Sequence, residues 1–132
     1  MKLTDEERRI IVNLEIEKSD NIFQQITELK RLGYWDNVAN RLYYAVFHAV
    51  SALLIKDGHE VASHKGATAL FGRYYIVTGK MSQQYGKLYS QLQTLREKSD
   101  YNCSFTATQD DIDPLIGQTA DMLNEIKILM GV

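Results

Sequence analysis

The amino-acid sequence predicts an all-α protein, folded as an up-and-down bundle of four long helices plus one short helix. Apolar residues recur at the three- and four-residue spacing of amphipathic helices, and no stretch alternates with the two-residue period of a strand. One proline and eight glycines in 132 residues suit long helices better than many turns. The length is that of a single domain, residues 1–132, which is enough to bury a core.

The first part of the chain predicts two long helices. Thr4 followed by Glu7 has the spacing of a capping box, and the helix that begins there continues to a stop at Gly33. A second helix is predicted over residues 36–56, and it is apolar almost all the way round, which is typical of a helix in the middle of a bundle. Its longest apolar run, at 42–55, has 14 residues and includes a histidine, so we expect no membrane span.

The second part of the chain predicts the short helix and two more long ones. The short helix covers residues 67–78, and the next long helix covers residues 82–99. A polar loop follows, after which either Thr108 or Asp110 caps the last helix.

Composition narrows the possible partners. The net charge of −2 argues against a dedicated duplex-DNA binder, which normally carries a basic excess. The charge is uneven, however, because residues 41–98 have 8 Lys and Arg against 3 Asp and Glu. Such a local excess fits a phosphate-bearing partner, although it also arises by chance in small proteins.

With Cys103 as its one cysteine and no signal peptide, the chain is expected in the cytoplasm.

A polar stripe runs along the second predicted helix. At about 100° per residue, one narrow face carries Arg41, Tyr44, His48 and Ser51. Either this face is where the central helix meets water, or it lines a groove for a nucleotide, since arginine binds phosphate and tyrosine stacks on bases. His48 has no ligand-spaced partner, so we expect no metal site, and no motif predicts a cofactor.

The loop SHKG, residues 63–66, offers a second basic feature. His64 either caps the helix that follows or, together with Lys65, adds positive charge at a helix N-terminus, where anions are attracted.

The stretch TLREKSDYN, residues 94–102, places Arg96 four residues before Asp100 and five before Tyr101, near the end of a helix. An Arg96–Asp100 pair that only ends the helix is worth a few tenths of a kcal/mol. Alternatively, the guanidinium beside a carboxylate and a phenol binds or processes a phosphodiester, because its planar fork of donors matches phosphate oxygens.

Three motifs stand in order along the chain. They are Asn-Arg-x-Tyr-Tyr within residues 39–54, Ser-His-x-Gly at 63–66, and the arginine stretch at 95–101. Together they resemble the HEPN family of small helical domains, over residues 36–130. The resemblance implies a bundle that forms a homodimer, with two arginine motifs across a shared cleft. It also implies RNA cleavage, RNA or nucleotide binding, and pairing with a minimal nucleotidyltransferase in toxin–antitoxin systems.

The arginine motif departs from the pattern of RNA-cleaving HEPN domains. In those members a histidine follows the arginine, and here Tyr101 occupies the histidine position. RNA cleavage without a metal needs a base for the 2′-hydroxyl and an acid for the leaving oxygen. The pKa of a tyrosine hydroxyl would have to fall by about three units for it to act as that base at neutral pH, which corresponds to about 4 kcal/mol. Asp100 is the remaining candidate base, and His48 or His64 the candidate acid.

Three hypotheses follow. The leading one is a homodimeric domain that binds RNA or a nucleotide. The Arg96 guanidinium is expected to be open to phosphate where two protomers meet. The expected partner protein is a nucleotidyltransferase, and no membrane association is expected. Its binding residues are Arg96, Asp100 and Tyr101, with Arg41, Tyr44, His48, His64 and Lys65 as neighbours. The second is a metal-independent endoribonuclease with a variant Arg-x4-Tyr centre. The third is a structural interaction domain in which the Arg96–Asp100 pair only ends a helix.

Overall fold

The computed structural model describes residues 2–132, which contain six α-helices and no strand. The helices are α1 (Asp5–Gln24), α2 (Ile26–Arg31), α3 (Trp35–Lys56), α4 (His64–Phe71), α5 (Gln83–Tyr101) and α6 (Gln109–Met130). A π-helical turn, Gly72–Ile76, continues α4. Because α1, α3, α5 and α6 are the long helices, the predicted fold class is confirmed.

Helix α3 forms the centre of the bundle and packs against α1, α5 and α6. Two contacts fix the helix directions. The Arg8 guanidinium at the start of α1 donates to the Ile55 carbonyl near the end of α3, at 2.8 Å. The Asp36 carboxylate at the start of α3 accepts from the Ala107 amide just before α6, also at 2.8 Å. Helix α1 therefore runs antiparallel to α3, and α6 runs parallel to it.

The apolar character of α3 comes from this central position. The helix has 22 residues, and an 18-residue stretch within it has a mean hydropathy of 1.3, so its length and composition are both sufficient for a membrane span. The apolar run of 14 residues is only part of this helix. In the bundle, 67% of this 18-residue stretch is buried, as in the core helix of a globular domain.

The first helix was predicted to be continuous, and this prediction is wrong. The capping box of Thr4 and Glu7 is present, with reciprocal hydrogen bonds of 2.9 and 3.1 Å. The helix is interrupted at Gln25, however, and the short α2 follows. The predicted stop lies just after α2 at Gly33, whose φ is +77°. A left-handed φ is readily adopted by glycine, which explains why the stop itself was predictable.

The short helix also differs from its prediction at both ends. It begins at His64 because the Ser63 hydroxyl accepts from the Gly66 amide at 2.9 Å, so the expectation that His64 caps this helix is wrong. The chain then forms the π-helical turn, where the Tyr75 hydroxyl contacts Asp57 and donates to the Leu53 carbonyl at 3.4 Å.

The boundaries of α5 and α6 agree closely with their predictions. Ser82 caps α5, which extends two residues beyond the predicted end, to Tyr101. Of the two candidate caps for α6, Thr108 is the one that accepts from the Asp111 amide.

Candidate functional site

Polar side chains from four helices meet on one face of α3. Arg41, Tyr44 and His48 are half-buried there, at the spacing that the stripe predicted. The other helices contribute Glu15 from α1, His64 from α4, and Arg96 and Asp100 from α5. The stripe therefore faces neighbouring helices rather than only water. Ser51 is an exception, because it is 3% exposed and its hydroxyl has no hydrogen-bond partner.

Arg96 lies under aromatic rings. Its Cζ atom is 4.8 Å from the ring centroid of Tyr43, 5.7 Å from that of Tyr44 and 5.9 Å from that of Tyr101. The residue is only 7% exposed, so the expectation of a guanidinium open to solvent is wrong for the single chain. Three tyrosine rings cover it, because the negative face of an aromatic ring attracts a cation.

The charge of Arg96 has no carboxylate partner within residues 2–132. Its Nε atom is fully buried and lacks a hydrogen-bond partner. A buried cation without a counter-ion costs free energy, and the tyrosine rings offset only part of that cost. The site therefore keeps an uncompensated positive charge to which an anion would be attracted.

Asp100 is held by Asn40 and not by Arg96. The Asn40 amide donates to the Asp100 carboxylate at 3.1 Å, and its Oδ1 atom accepts from Arg41 Nε at 3.0 Å and Nη2 at 2.6 Å. The Arg96–Asp100 pair of the structural hypothesis is absent from the part of the chain that is described. Since Asn40 is neutral, Arg41 also keeps its charge uncompensated.

The two guanidiniums lie near one ring. Arg41 Cζ is 5.5 Å and Arg96 Cζ is 5.7 Å from the Tyr44 centroid. We call Arg41, Tyr44 and Arg96 the arginine–tyrosine cluster. Both positive charges therefore lie within about 6 Å of one aromatic ring, and each guanidinium is a planar fork of donors that matches phosphate oxygens.

Both candidate histidines lie beside this cluster and have defined partners. The His48 Nδ1 atom is 2.8 Å from a Glu15 carboxylate oxygen. The His64 Nδ1 atom is 2.8 Å from the Tyr43 hydroxyl, and the His64 ring is 5.7 Å from that of Tyr44. Burial raises the pKa of Tyr43 to about 12, although the Arg96 charge lowers it, so the hydroxyl keeps its proton at neutral pH.

The environment of His64 favours its neutral form. Burial lowers the pKa of His64 below its ordinary value of 6.5, and the positive charges of Arg96 and His48 lower it further.

Stability is expected to depend on pH through His64. Its pKa is lower in the folded state, so its contribution to stability is complete above about 6.5 and is lost as the pH falls through the folded-state pKa. Thermal melts over a pH series should therefore show a steeper fall of Tm on acidification in the wild type than in His64→Gln. Parallel curves for the two proteins would contradict the assigned environment of His64.

The remaining predicted residues lie at the edge of the site. Tyr101 is 78% exposed, with its ring beside Arg96. Lys65 is exposed next to His64, and its side chain makes no hydrogen bond or ion pair to the other described residues. Three partners were not predicted as site residues, namely Glu15, Asn40 and Tyr43. Asn40 and Tyr43 belong to the Asn-Arg-x-Tyr-Tyr motif, whereas nothing in the sequence marks Glu15.

Within residues 2–132 there is no group of three or more His, Cys, Asp or Glu side chains that could hold a metal ion.

Comparisons with known proteins confirm the family resemblance that the three motifs indicate. Residues 12–129 match the family model described as "HEPN domain". A "UPF0332 protein" of Thermotoga maritima is 32% identical over 94 residues, which is 71% of each chain. A protein of Methanocaldococcus jannaschii with the printed name "Putative toxin" is 32% identical over 94 residues, 71% of this chain and 69% of its own. Another of the same name and organism is 24% identical over 112 residues, 85% of this chain and 76% of its own.

Proposed function

This chain belongs to the HEPN family, and on that premise we propose that it binds RNA or a nucleotide through the arginine–tyrosine cluster. It acts as the toxin-like member of a pair whose other member is a minimal nucleotidyltransferase. The relatives named as toxins support the toxin-like role. The partner follows from the family resemblance.

One observation carries the proposal: two guanidiniums stand near the Tyr44 ring, and neither has a carboxylate partner. A buried arginine such as Arg96, which is 7% exposed, is usually compensated by an acidic group. A bound phosphodiester would supply the missing negative charge and accept from the unused N–H donors. Binding would thereby recover free energy that the unliganded site loses.

The aromatic side chains favour a single-stranded ligand. Tyr101 is 78% exposed and Tyr44 is half-buried, so both present part of a ring at the surface. Bases stack on such rings when they are free of a duplex, and stacking contributes about 1–3 kcal/mol per base. A duplex would hide its base faces from both rings.

The proposal includes a homodimer in the cytoplasm. The exposed ring of Tyr101 lies directly over the buried Arg96, so a second protomer at this edge would place two guanidiniums beside a shared cleft. The exposed free thiol of Cys103 fits a reducing compartment.

A metal-independent endoribonuclease is the second candidate, and it is favoured by the two histidines beside Tyr44. In such a reaction the 2′-hydroxyl oxygen attacks phosphorus, its proton passes to a base, and the departing 5′-oxygen receives a proton from an acid. His64 would have to be protonated to act as the acid. Its lowered pKa opposes this at neutral pH, so binding ranks above cleavage and any cleavage should increase as the pH falls.

One assay separates the two candidates. End-labelled single-stranded RNA is incubated with the purified protein in EDTA and resolved on native and denaturing gels. We expect a retarded band on the native gel and intact RNA on the denaturing gel at neutral pH. Shortened RNA in EDTA would favour the nuclease, and free, intact RNA with a demonstrably folded protein would contradict both candidates.

A further inference from the structure

A cavity of about 760 Å³ lies between the start of α1, the end of α3 and the loop that leads to α4. Its apolar lining comes from Leu3, Ile11, Ile55 and Val61. Its charged and titratable lining comes from Lys2, Arg8, His59 and Glu60, so basic groups outnumber the single acidic one. An apolar surface with basic groups suits a base attached to a phosphate.

Two chain segments lead from the cavity to the candidate site. Ile11 lines it and lies one helical turn before Glu15, the partner of His48. Ala62 lines it and lies two residues before His64. Along α3, the cavity residue Ile55 is about 16 Å from Tyr44 at the rise of a helix. One nucleotide does not cover that span, whereas a short strand of RNA does.

Two of the cavity residues are held in place. The His59 ring stacks on that of Tyr74, with centroids 4.1 Å apart and an interplanar angle of 24°. Tyr74 belongs to the π-helical turn, a local geometry that is frequent at functional sites. Arg8 uses one nitrogen to donate to the Ile55 carbonyl, which leaves its other donors for a ligand.

We propose that this cavity is a second subsite for single-stranded RNA, which takes a nucleotide farther along the strand from the one bound at the arginine–tyrosine cluster. Arg8 and Lys2 bind its phosphate, and His59 offers a ring to its base. The proposal rests on the proposed function and adds to it that the ligand is an RNA strand rather than a mononucleotide.

The test is the dependence of affinity on RNA length. Fluorescein-labelled oligouridines and oligoadenosines of about two to eight nucleotides are titrated with the wild-type protein and followed by anisotropy. We expect affinity to increase by about tenfold or more once the strand is long enough to reach the cavity. Arg8→Ala should lose most of this increase while it retains the affinity for the shortest oligonucleotides.

The matched control is Arg9→Ala, which removes the same charge one residue along α1. Arg9 does not line the cavity and should keep the length dependence. It lines a neighbouring groove with Met130 and Val132, to which Arg8 also contributes. His59→Ala is a second variant of the cavity, which keeps the test decisive if Arg8→Ala unfolds. Circular dichroism establishes that each variant is folded.

The outcomes distinguish the subsite from the proposed function. If Arg8→Ala and His59→Ala keep the wild-type length dependence while Arg96→Met weakens binding at every length, the subsite is wrong and the proposed function stands. If wild-type affinity does not change with length, the subsite is likewise overturned. If the wild type binds no oligonucleotide, the proposed function fails and the subsite falls with it.

Discussion

Replacing Arg96 with methionine is expected to reduce RNA affinity by about 10- to 100-fold, because charge-assisted hydrogen bonds contribute about 1.5–3 kcal/mol. Methionine is unbranched, so it fills most of the space beneath the tyrosine rings without the charge. Helical content should be unchanged, since the substitution keeps a good helix former within α5.

The same substitution should have little effect on stability. It removes three cation–π contacts, but it also removes a buried charge that has no counter-ion and a buried Nε without a partner. These effects oppose each other, so we expect Tm to remain within a few degrees of the wild-type value. The structural hypothesis makes the opposite prediction, which is unchanged binding and a lower Tm.

Anisotropy titrations and thermal melts on the same preparations measure both quantities. Arg31→Met is the matched control, because Arg31 is exposed on α2 and pairs with Glu28, away from the cluster. It should bind RNA like the wild type. Equal affinities of Arg96→Met and Arg31→Met would remove the basis for assigning phosphate binding to Arg96.

The adjacent tyrosines of the Asn-Arg-x-Tyr-Tyr motif are expected to differ in role, and Tyr43→Ala should lower the free energy of unfolding by about 3–5 kcal/mol. Tyr43 is fully buried and packs against the rings of Tyr44, Phe47 and Tyr89. Its removal leaves a cavity in the core and an unpartnered nitrogen on His64. Tyr43→Phe keeps the ring and loses only the hydrogen bond, so its cost should be about 1–3 kcal/mol.

Tyr44→Ala is the comparison, because Tyr44 is half-buried and contacts both guanidiniums. It should cost less stability than Tyr43→Ala and weaken RNA binding more than Tyr43→Phe. Urea unfolding and anisotropy provide the two readouts. If Tyr44→Ala destabilised the fold as much as Tyr43→Ala and left binding intact, the division of roles would be wrong.

The sequence predicted those parts of the site that depend on one helix. Arg41, Tyr44 and His48 share a face because the helical period alone places them there. The cap at Thr4 was likewise predictable, and Thr108 was one of two candidates for the last helix, since a cap is a local interaction.

The parts that depend on packing between helices could not be predicted. Asp100 stands one turn after Arg96 on α5, yet its amide partner is Asn40, 60 residues away on α3. The burial of Arg96 depends on Tyr43 and Tyr44 reaching it across the same helix interface. Glu15 meets His48 only because of the relative register of α1 and α3.

The most direct measurement of the central claim is photocrosslinking of RNA that carries 4-thiouridine, followed by mass spectrometry of the crosslinked peptides. The arginine–tyrosine cluster predicts crosslinks at Tyr44, His64 or Tyr101, and their loss in Arg96→Met. Crosslinks confined to α2 or to the outer surface of α6, with the same pattern in Arg96→Met, would contradict it.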